Sequence, residues 1–429
     1  MNILVVTDAL WRTDNGVGNS YSNIFGGIKN VKIANVCCQQ GISDNDVSQK
    51  CFQISEGSLI ANLKNKNIPS GHVEIRTDSN EDNSIKNTSE IFRLIKRSRL
   101  QIFFWLRNFI WKFGRWKSDE LKTFIDEFAP DIIFAQLQDK IYLNNLVLYI
   151  QEYTKKPLML YAWDDVYTLK QFNLSPLFWI DRFMQRQSIR RLVKKCTTLY
   201  TISKEQKEEY EKIFNKHAKI LFKGKDFNKE PEKVNLQSPL KIVYTGNLYC
   251  GRYKTLKKLC KYIEKTNKEN LYVEIYSGTD LSKRQTDALN ISKVSRFMGK
   301  ISENEVQKIQ DEADILLHIE PFELKGSLLC RLSFSTKLVD YFYKGKCIFA
   351  IGSSICSSMR YLKRHDAAIV AESISDMKNK VNKISSDAHL ISEYAQNAYR
   401  CGVNYHKLDE IQMGLLKDFE EAINESCTD

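Results

Sequence analysis

The chain has 429 residues, of which 43% are hydrophobic and 27% charged, and a formal net charge of +12. That length exceeds what a single core organises and suits two domains, while the apolar share is that of a globular protein rather than a disordered one. No run of 18 apolar residues reads as a spanning helix, and eleven scattered cysteines without a CxxC pair, with six histidines lacking HExxH or HxH, argue for reduced thiols in a cytoplasm rather than a disulfide framework or a metal site.

In chain order the pattern is strand followed by helix. Met1 to Leu10 contains a short apolar strand, too brief for a signal peptide. It opens onto Asp14-Asn15-Gly16-Val17-Gly18-Asn19-Ser20, where Gly16 and Gly18 would let the backbone approach a ligand and expose helix-start amides. The same loop also fits a plain strand-to-helix turn. Val31 to Cys37, Asp131 to Ala135, Leu158 to Ala162 and Thr198 to Ile202 are apolar runs without alternation, as in a parallel sheet covered on both faces. Helices are expected over Trp116 to Phe128 and Asp181 to Lys195, and Ser203-Lys204-Glu205-Gln206 is a capping-box start.

From Asp226 to Pro239 the composition turns polar and reads as a linker. The strand pattern restarts at Lys241 to Thr245 and continues with Leu271 to Tyr276, Ile315 to Ile319, Cys347 to Ile351 and Ala368 to Ala371. The fold class is therefore α/β: two Rossmann-like units facing a cleft, with ligands expected beyond the carboxyl ends of the strands. The boundaries read as 1–224, a linker at 225–239, 240–407, and a helical tail at 408–426 that crosses back to the first unit.

Ser335-Thr336-Lys337-Leu338-Val339-Asp340-Tyr341, closed by Gly345, reads as a ten-residue helix capped by Ser335. Lys337 in its first turn meets the positive end of the helix dipole, an unfavourable place for a cation unless an anion docks there. Asp340, one turn on, is placed to accept from a ribose; an ordinary amphipathic helix fits the same residues. After the restart strand, Gly246 and Asn247 precede Gly251 and Arg252, a candidate diphosphate clamp because a guanidinium pairs bidentately with phosphate. His318, Glu320 and Glu323 stand at another strand's carboxyl end, where lone carboxylates are as often structural as functional. Trp163-Asp164-Asp165 places two carboxylates after a strand, with a solvated turn or a helix cap as the alternative.

These motifs together resemble the retaining GT-B glycosyltransferases of family four. Tyr244-Thr245-Gly246-Asn247 with Arg252, Ala313-Asp314-Ile315-Leu316-Leu317, and Phe334 to Ile348 are similar to three of that family's elements. Weaker matches run through Pro130-Asp131-Ile132-Ile133, Lys156 to Asp165 and Ile220 to Asp226. The resemblance implies that Ser335, Thr336, Lys337 and Arg252 hold a nucleotide diphosphate, that Asp340 holds the ribose, and that a sugar passes with retention to an acceptor hydroxyl. It implies no metal ion, the cations taking that electrostatic role, and no other cofactor. Two positions depart from the family: Leu332 stands where the first acid of its E-x7-E signature belongs, and Trp163 where a histidine often precedes the aspartate. Asp164, Asp165 and Glu320 are the catalytic or acceptor-side candidates that remain.

From Ile91 to Ser118 there is no acidic residue, and eight cations interleave with eight large aromatics, among them Trp105, Arg107 and Trp111. This suits a helix lying on an anionic membrane, and equally a helix whose aromatics pack in a core. With the resemblance, it implies a cytoplasmic enzyme peripherally attached to the inner face of the plasma membrane, using a UDP-sugar to extend a glycan or polyprenyl-linked acceptor for a cell-envelope polysaccharide. A nucleotide-sugar epimerase of the same architecture is the alternative. The basic aromatic run alone would also suit single-stranded nucleic acid, but no nucleic-acid-binding motif accompanies it, so none is expected as a partner.

Overall fold

The computed structural model describes residues 1–74, 101–228, 236–266 and 268–428, without the side chains of 101–104, 427 and 428. The first ten residues of the acid-free segment, 91–100, with four of its eight cations, lie outside the described residues.

Two sheets organise the chain. The first contains β1 (Asn2–Thr7), β2 (Lys32–Cys37), β3 (Lys50–Ile54), β4 (Gly71–Val73), β5 (Ile132–Gln136), β6 (Leu158–Ala162), β7 (Thr198–Thr201) and β8 (Ala218–Ile220), in the order β4-β3-β2-β1-β5-β6-β7-β8. All neighbours are parallel except β3 and β4. The second contains β9 (Leu240–Thr245), β10 (Leu271–Tyr276), β11 (Ser295–Gly299), β12 (Ile315–Ile319), β13 (Cys347–Ile351) and β14 (Ile369–Ala371), in the order β11-β10-β9-β12-β13-β14 and wholly parallel. Every residue of β5, β6, β12 and β13 is buried. Helices cover both faces, which is why these strands lack alternation.

Strands β3, β4, β8 and β11 escaped the periodicity reading. In β3, Gln53 is buried because its amide exchanges hydrogen bonds with both backbone groups of Gly41; a satisfied polar side chain hides the strand signal. β11 is a partly exposed edge strand and keeps polar residues. The polar stretch 225–239 is held at its start, where Lys225 N–H donates to His406 O (2.9 Å) and Leu408 N–H donates to Lys225 O (3.0 Å). Phe227 is buried beyond it, so local polarity did not report this packing.

Helix Leu408–Thr428 packs against helix Gly16–Phe25 and the first sheet. Gln412 donates to Ile24 O and Gly26 O, Tyr200 Oη donates to Asp418 (2.7 Å), and Phe419 meets Phe134 edge-on. A buried cluster running from Ile3 and Phe134 to Leu316, Phe342 and Ala398 joins the two sheets. Among the described residues no helix is long and apolar enough to cross a membrane.

Candidate functional site

The cationic centre lies at the carboxyl ends of β9 and β12. Helix Lys337–Lys344 spans eight residues rather than ten, and Thr336, not Ser335, is its N-cap, without a side-chain capping bond. Ser335 instead donates its N–H to Ser358 Oγ (3.0 Å), so the expected Ser335 cap is corrected. The Lys337 side chain reaches back to β9. Its Nζ donates to Thr245 O (3.1 Å), sits 4.5 Å from the centre of the Tyr244 ring, and would stand 3.2 Å from a Cβ at Gly246. Gly246 has φ +142, a region that favours glycine, so the backbone turns there beside the ammonium.

Arg252 opens helix Arg252–Lys265 behind Gly251, whose φ of 92 again suits glycine. Its guanidinium donates to Glu320 Oε2 through Nε (3.1 Å) and Nη2 (2.9 Å), to Ile319 O (3.1 Å) and to Asn247 Oδ1 (3.1 Å). Glu320 is 2% exposed, and His318 Nε2 lies 3.5 Å from its other oxygen. Burial raises the Glu320 pKa, but His318, Arg252 and Lys337 outweigh that and hold it at about 2. Burial lowers the pKa of the fully enclosed His318, with Glu320 opposing.

Glu320 is therefore the buried counter-ion that orients Arg252, which corrects its expected place among groups touching a reacting atom. Glu323 pairs with Lys254 at the surface (2.7 Å). Burial, then the charge of Arg252, push Lys337 down to about 7, with Glu320 opposing. One carboxylate thus faces two cations, an arrangement that binds an anion and relieves their mutual repulsion.

Asp340 lies on the same helix as Lys337. Its carboxylate pairs with Lys223 (3.0 Å) and Lys225 (3.2 Å), from the segment after β8, and is largely buried. The segment Ile220 to Asp226 that carries these lysines was singled out only as a family match; their pairing with Asp340 had no sequence signal, because only the chain crossing after β8 brings them to the helix. Gly18, on the first sheet's side, has its N–H committed to Asn15 Oδ1 (2.8 Å), and an added Cβ would lie 1.9 Å from Arg12 O. It permits a close backbone approach within the loop instead of presenting an open amide, a correction to its expected role. A Cβ at Gly16 would meet nothing within 4 Å.

The segment leading into the Lys337 helix docks on the first unit. Leu332 is fully buried in the core that contains β5, β6 and helix Pro176–Lys195. A carboxylate there would lose its hydration without a partner, so the missing acid has a packing reason. Ser203 Oγ donates to Leu332 O and Ser333 Oγ to Asp164 Oδ1, both at 2.6 Å. Arg331 donates to Asp165 (3.1 Å) and Thr168 Oγ1 (3.2 Å) and pairs with Glu209. Asp165 is also the acceptor for the N–H of Thr168 (2.8 Å) and lies 3.8 Å from buried Arg182. Its side chain is 2% exposed, so Asp165 ties the two units together and is corrected as a reacting-group candidate. Asp164 stays exposed beside Ser333. Trp163 meets the Tyr21 ring at a tilt and the Tyr161 ring edge-on, and its indole N–H is buried without a partner.

The three residues expected on a membrane do not face outward. Trp111 is 2% exposed, stacks on Tyr142 at 4.9 Å and donates to Glu56 (2.8 Å). Arg107 pairs with Glu56 and with Asp8 (3.6 Å), and Trp105 is half-buried. Helix Gln101–Phe113 turns these residues into the first unit because Glu56 and Asp8 await them at strand ends. Among its described side chains the exposed apolar ones are Leu106, Phe109 and Phe113.

No protein-family model and no curated protein matches the sequence. Solved structures do match over its length. HepE of Anabaena, in complex with UDP, has a TM-score of 0.62 at 11% identity, covering 98% of this chain and 100% of that one. Sucrose-phosphate synthase from Thermosynechococcus elongatus has a TM-score of 0.62 at 10% identity, with 99% of each chain covered. A glycosyltransferase from Rickettsia africae has a TM-score of 0.57 at 13% identity, with 98% of each covered. The likeness shows that this chain has the GT-B fold.

Proposed function

We propose that the protein is a glycosyltransferase that moves a sugar, with retention at the anomeric carbon, from a UDP-sugar to a glycan or polyprenyl-linked acceptor of a cell-envelope polysaccharide. The observation that carries this reading is the pair of Lys337 and Arg252 converging at the carboxyl ends of β9 and β12 with one buried carboxylate between them. HepE, of the same fold, is described with UDP and with UDP-glucose.

In this reading Arg252 and Lys337 hold the diphosphate, with Ser335 and Thr336 at the open helix start and Asn247 fixing the guanidinium. Asp340 takes the ribose in exchange for one of its lysines. The bond from the anomeric carbon to the diphosphate oxygen breaks, and its electron pair stays with the phosphate. The two cations stabilise that growing charge, supplying the electrostatics of a reaction run without a metal. The acceptor oxygen bonds to the same face of the sugar, and its proton passes to the departing phosphate oxygen. Asp164 and the free indole N–H of Trp163 face the acceptor side, where the Arg331 and Ser333 contacts close the cleft against water. The enzyme works peripherally at the inner, cytoplasmic face of the plasma membrane.

Thermal shift of the purified protein with UDP, GDP, ADP and CMP tests the donor site. UDP at a hundred times its Kd should stabilise by about 2.7 kcal/mol, and Lys337→Ala should abolish the shift. A flat response of the folded protein to every nucleotide refutes the reading. Turnover of a nucleotide sugar to its epimer without an acceptor would replace it with the epimerase alternative.

A further inference from the structure

Three thiols meet beside Arg252 and take no part in the transfer proposed above. Among the described residues Cys250 is the exposed cysteine and the others are buried. It stands in the loop between β9 and helix Arg252–Lys265, with a φ of 58, the left-handed region that a residue bearing a side chain adopts under strain. Its carbonyl presses on helix Leu324–Leu329, where a Cβ added to Gly326 would lie 2.0 Å from Cys250 O. Cys330 closes that helix, its N–H donating to Gly326 O (3.1 Å), and is 6% exposed. The loop and the helix end thereby bring the two thiols into hydrogen-bond contact, and Cys330 meets buried Cys356 on its other side. Arg252 Nη2 also reaches Cys330 Sγ, at 3.5 Å.

Exposure separates this pair from another close one. Cys37 and Cys51 face each other at 3.6 Å between β2 and β3, but both are buried and closed to solutes. Cys250 is open to a solute while its partner sits behind it, the arrangement of an attacking and a resolving thiol. The hydrogen bond to Cys330 and burial raise the Cys250 pKa, Arg252 opposes this and Glu320 adds to it, so the thiolate is scarce and exchange is slow.

We propose that Cys250 and Cys330 are a modification site for low-molecular-weight disulfides, and that their oxidation to a protein disulfide weakens the hold on the donor nucleotide. The Cys250 thiolate attacks one sulfur of the small disulfide and displaces the other half as a thiolate. Cys330 then gives up its proton and attacks the Cys250 sulfur of the mixed disulfide, displacing the second half. Two protein thiols are oxidised and one small disulfide is reduced to two thiols, which take up the two protons. The new bond draws the Cys330 sulfur away from Arg252. It also ties the loop that carries Arg252 to the segment that leads through Arg331 to Lys337. The consequence for the donor rests on the reading of Arg252 and Lys337 given above; the exchange itself does not.

Incubation of the folded full chain with oxidised glutathione, followed by peptide mapping, tests the proposal; Cys427→Ser is included so that the tail thiol cannot compete. Cys250 and Cys330 should be found in one cross-linked peptide pair. Cys330→Ser should instead retain glutathione on Cys250, because the resolving thiol is gone, and Cys250→Ser should retain none. The oxidised protein should bind UDP about tenfold more weakly, as expected when a hydrogen bond to a charged group is lost, and a thiol reductant should restore binding. Cys250→Ser should keep the UDP-induced thermal shift before and after the oxidant. Unreacted Cys250, a bridge at Cys37 and Cys51 instead, a bridge between two chains, or a cross-link that leaves UDP affinity unchanged overturns the proposal. A cross-link in protein whose reduced form answers to no nucleotide sinks the transferase reading and leaves the exchange site standing.

Discussion

If Lys337 holds the donor diphosphate as proposed, donor binding should depend on pH. Among Tyr244, Tyr341 and Arg252 its ammonium titrates at about 7, although part of the residue reaches the surface. A bound diphosphate places negative charge beside it and favours the protonated form. Below about pH 7 the proton is already present and binding is strongest; above it, each unit of pH weakens binding about tenfold, because the proton must be taken up. Between about pH 6 and 8.5 the loss is ~2 kcal/mol, or ~30-fold in Kd. A nucleotide sugar is the right probe, since its diphosphate is esterified at both ends and loses no proton in this range. Calorimetry at about pH 8.5 in buffers of different ionisation enthalpy should report uptake of about one proton.

Lys337→Met should give weak binding with no pH dependence and no proton uptake. The same substitution should stabilise the free protein. The folded pKa of Lys337 lies below the ordinary 10.5, so its destabilisation is complete below pH 7 and fades as the pH rises toward 10.5. The interval corresponds to ~5 kcal/mol, which partial solvent access reduces to on the order of 3 kcal/mol at pH 6. A wild-type Kd that is flat across this range, with no proton uptake, would refute the placement of Lys337 against the diphosphate.

Glu320→Gln leaves Arg252 without its buried counter-ion; denaturant unfolding should show a loss of about 3 kcal/mol, and unchanged stability would refute the counter-ion role. Arg331→Ala removes the bonds to Asp165, Glu209 and Thr168 that hold the segment before Lys337 on the first unit. It should enlarge the radius of gyration by X-ray scattering and lower kcat about tenfold or more at unchanged nucleotide affinity; loss of nucleotide binding with unchanged shape would contradict it.

Much of the architecture was legible along the chain, because β5, β6, β12 and β13 are buried on both faces and must be apolar throughout. The glycines at 246 and 251 and the cations at 252 and 337 could each be singled out, since a close backbone turn and a charge at a helix start leave local marks; only the family resemblance joined them into one site. Pairing across the sequence leaves none. Nothing near Glu320 announces that Arg252, 68 residues earlier, takes its charge, nor near Asp340 that Lys223 and Lys225 hold it. Whether Trp111 and Arg107 face a membrane or a core stayed open along the chain, because their partners Tyr142, Glu56 and Asp8 lie far away in sequence. Composition is inherited from the chain, whereas which side of a helix meets solvent is decided by what packs against it. That is why the tertiary structure alone shows the burial of Trp111 and Leu332.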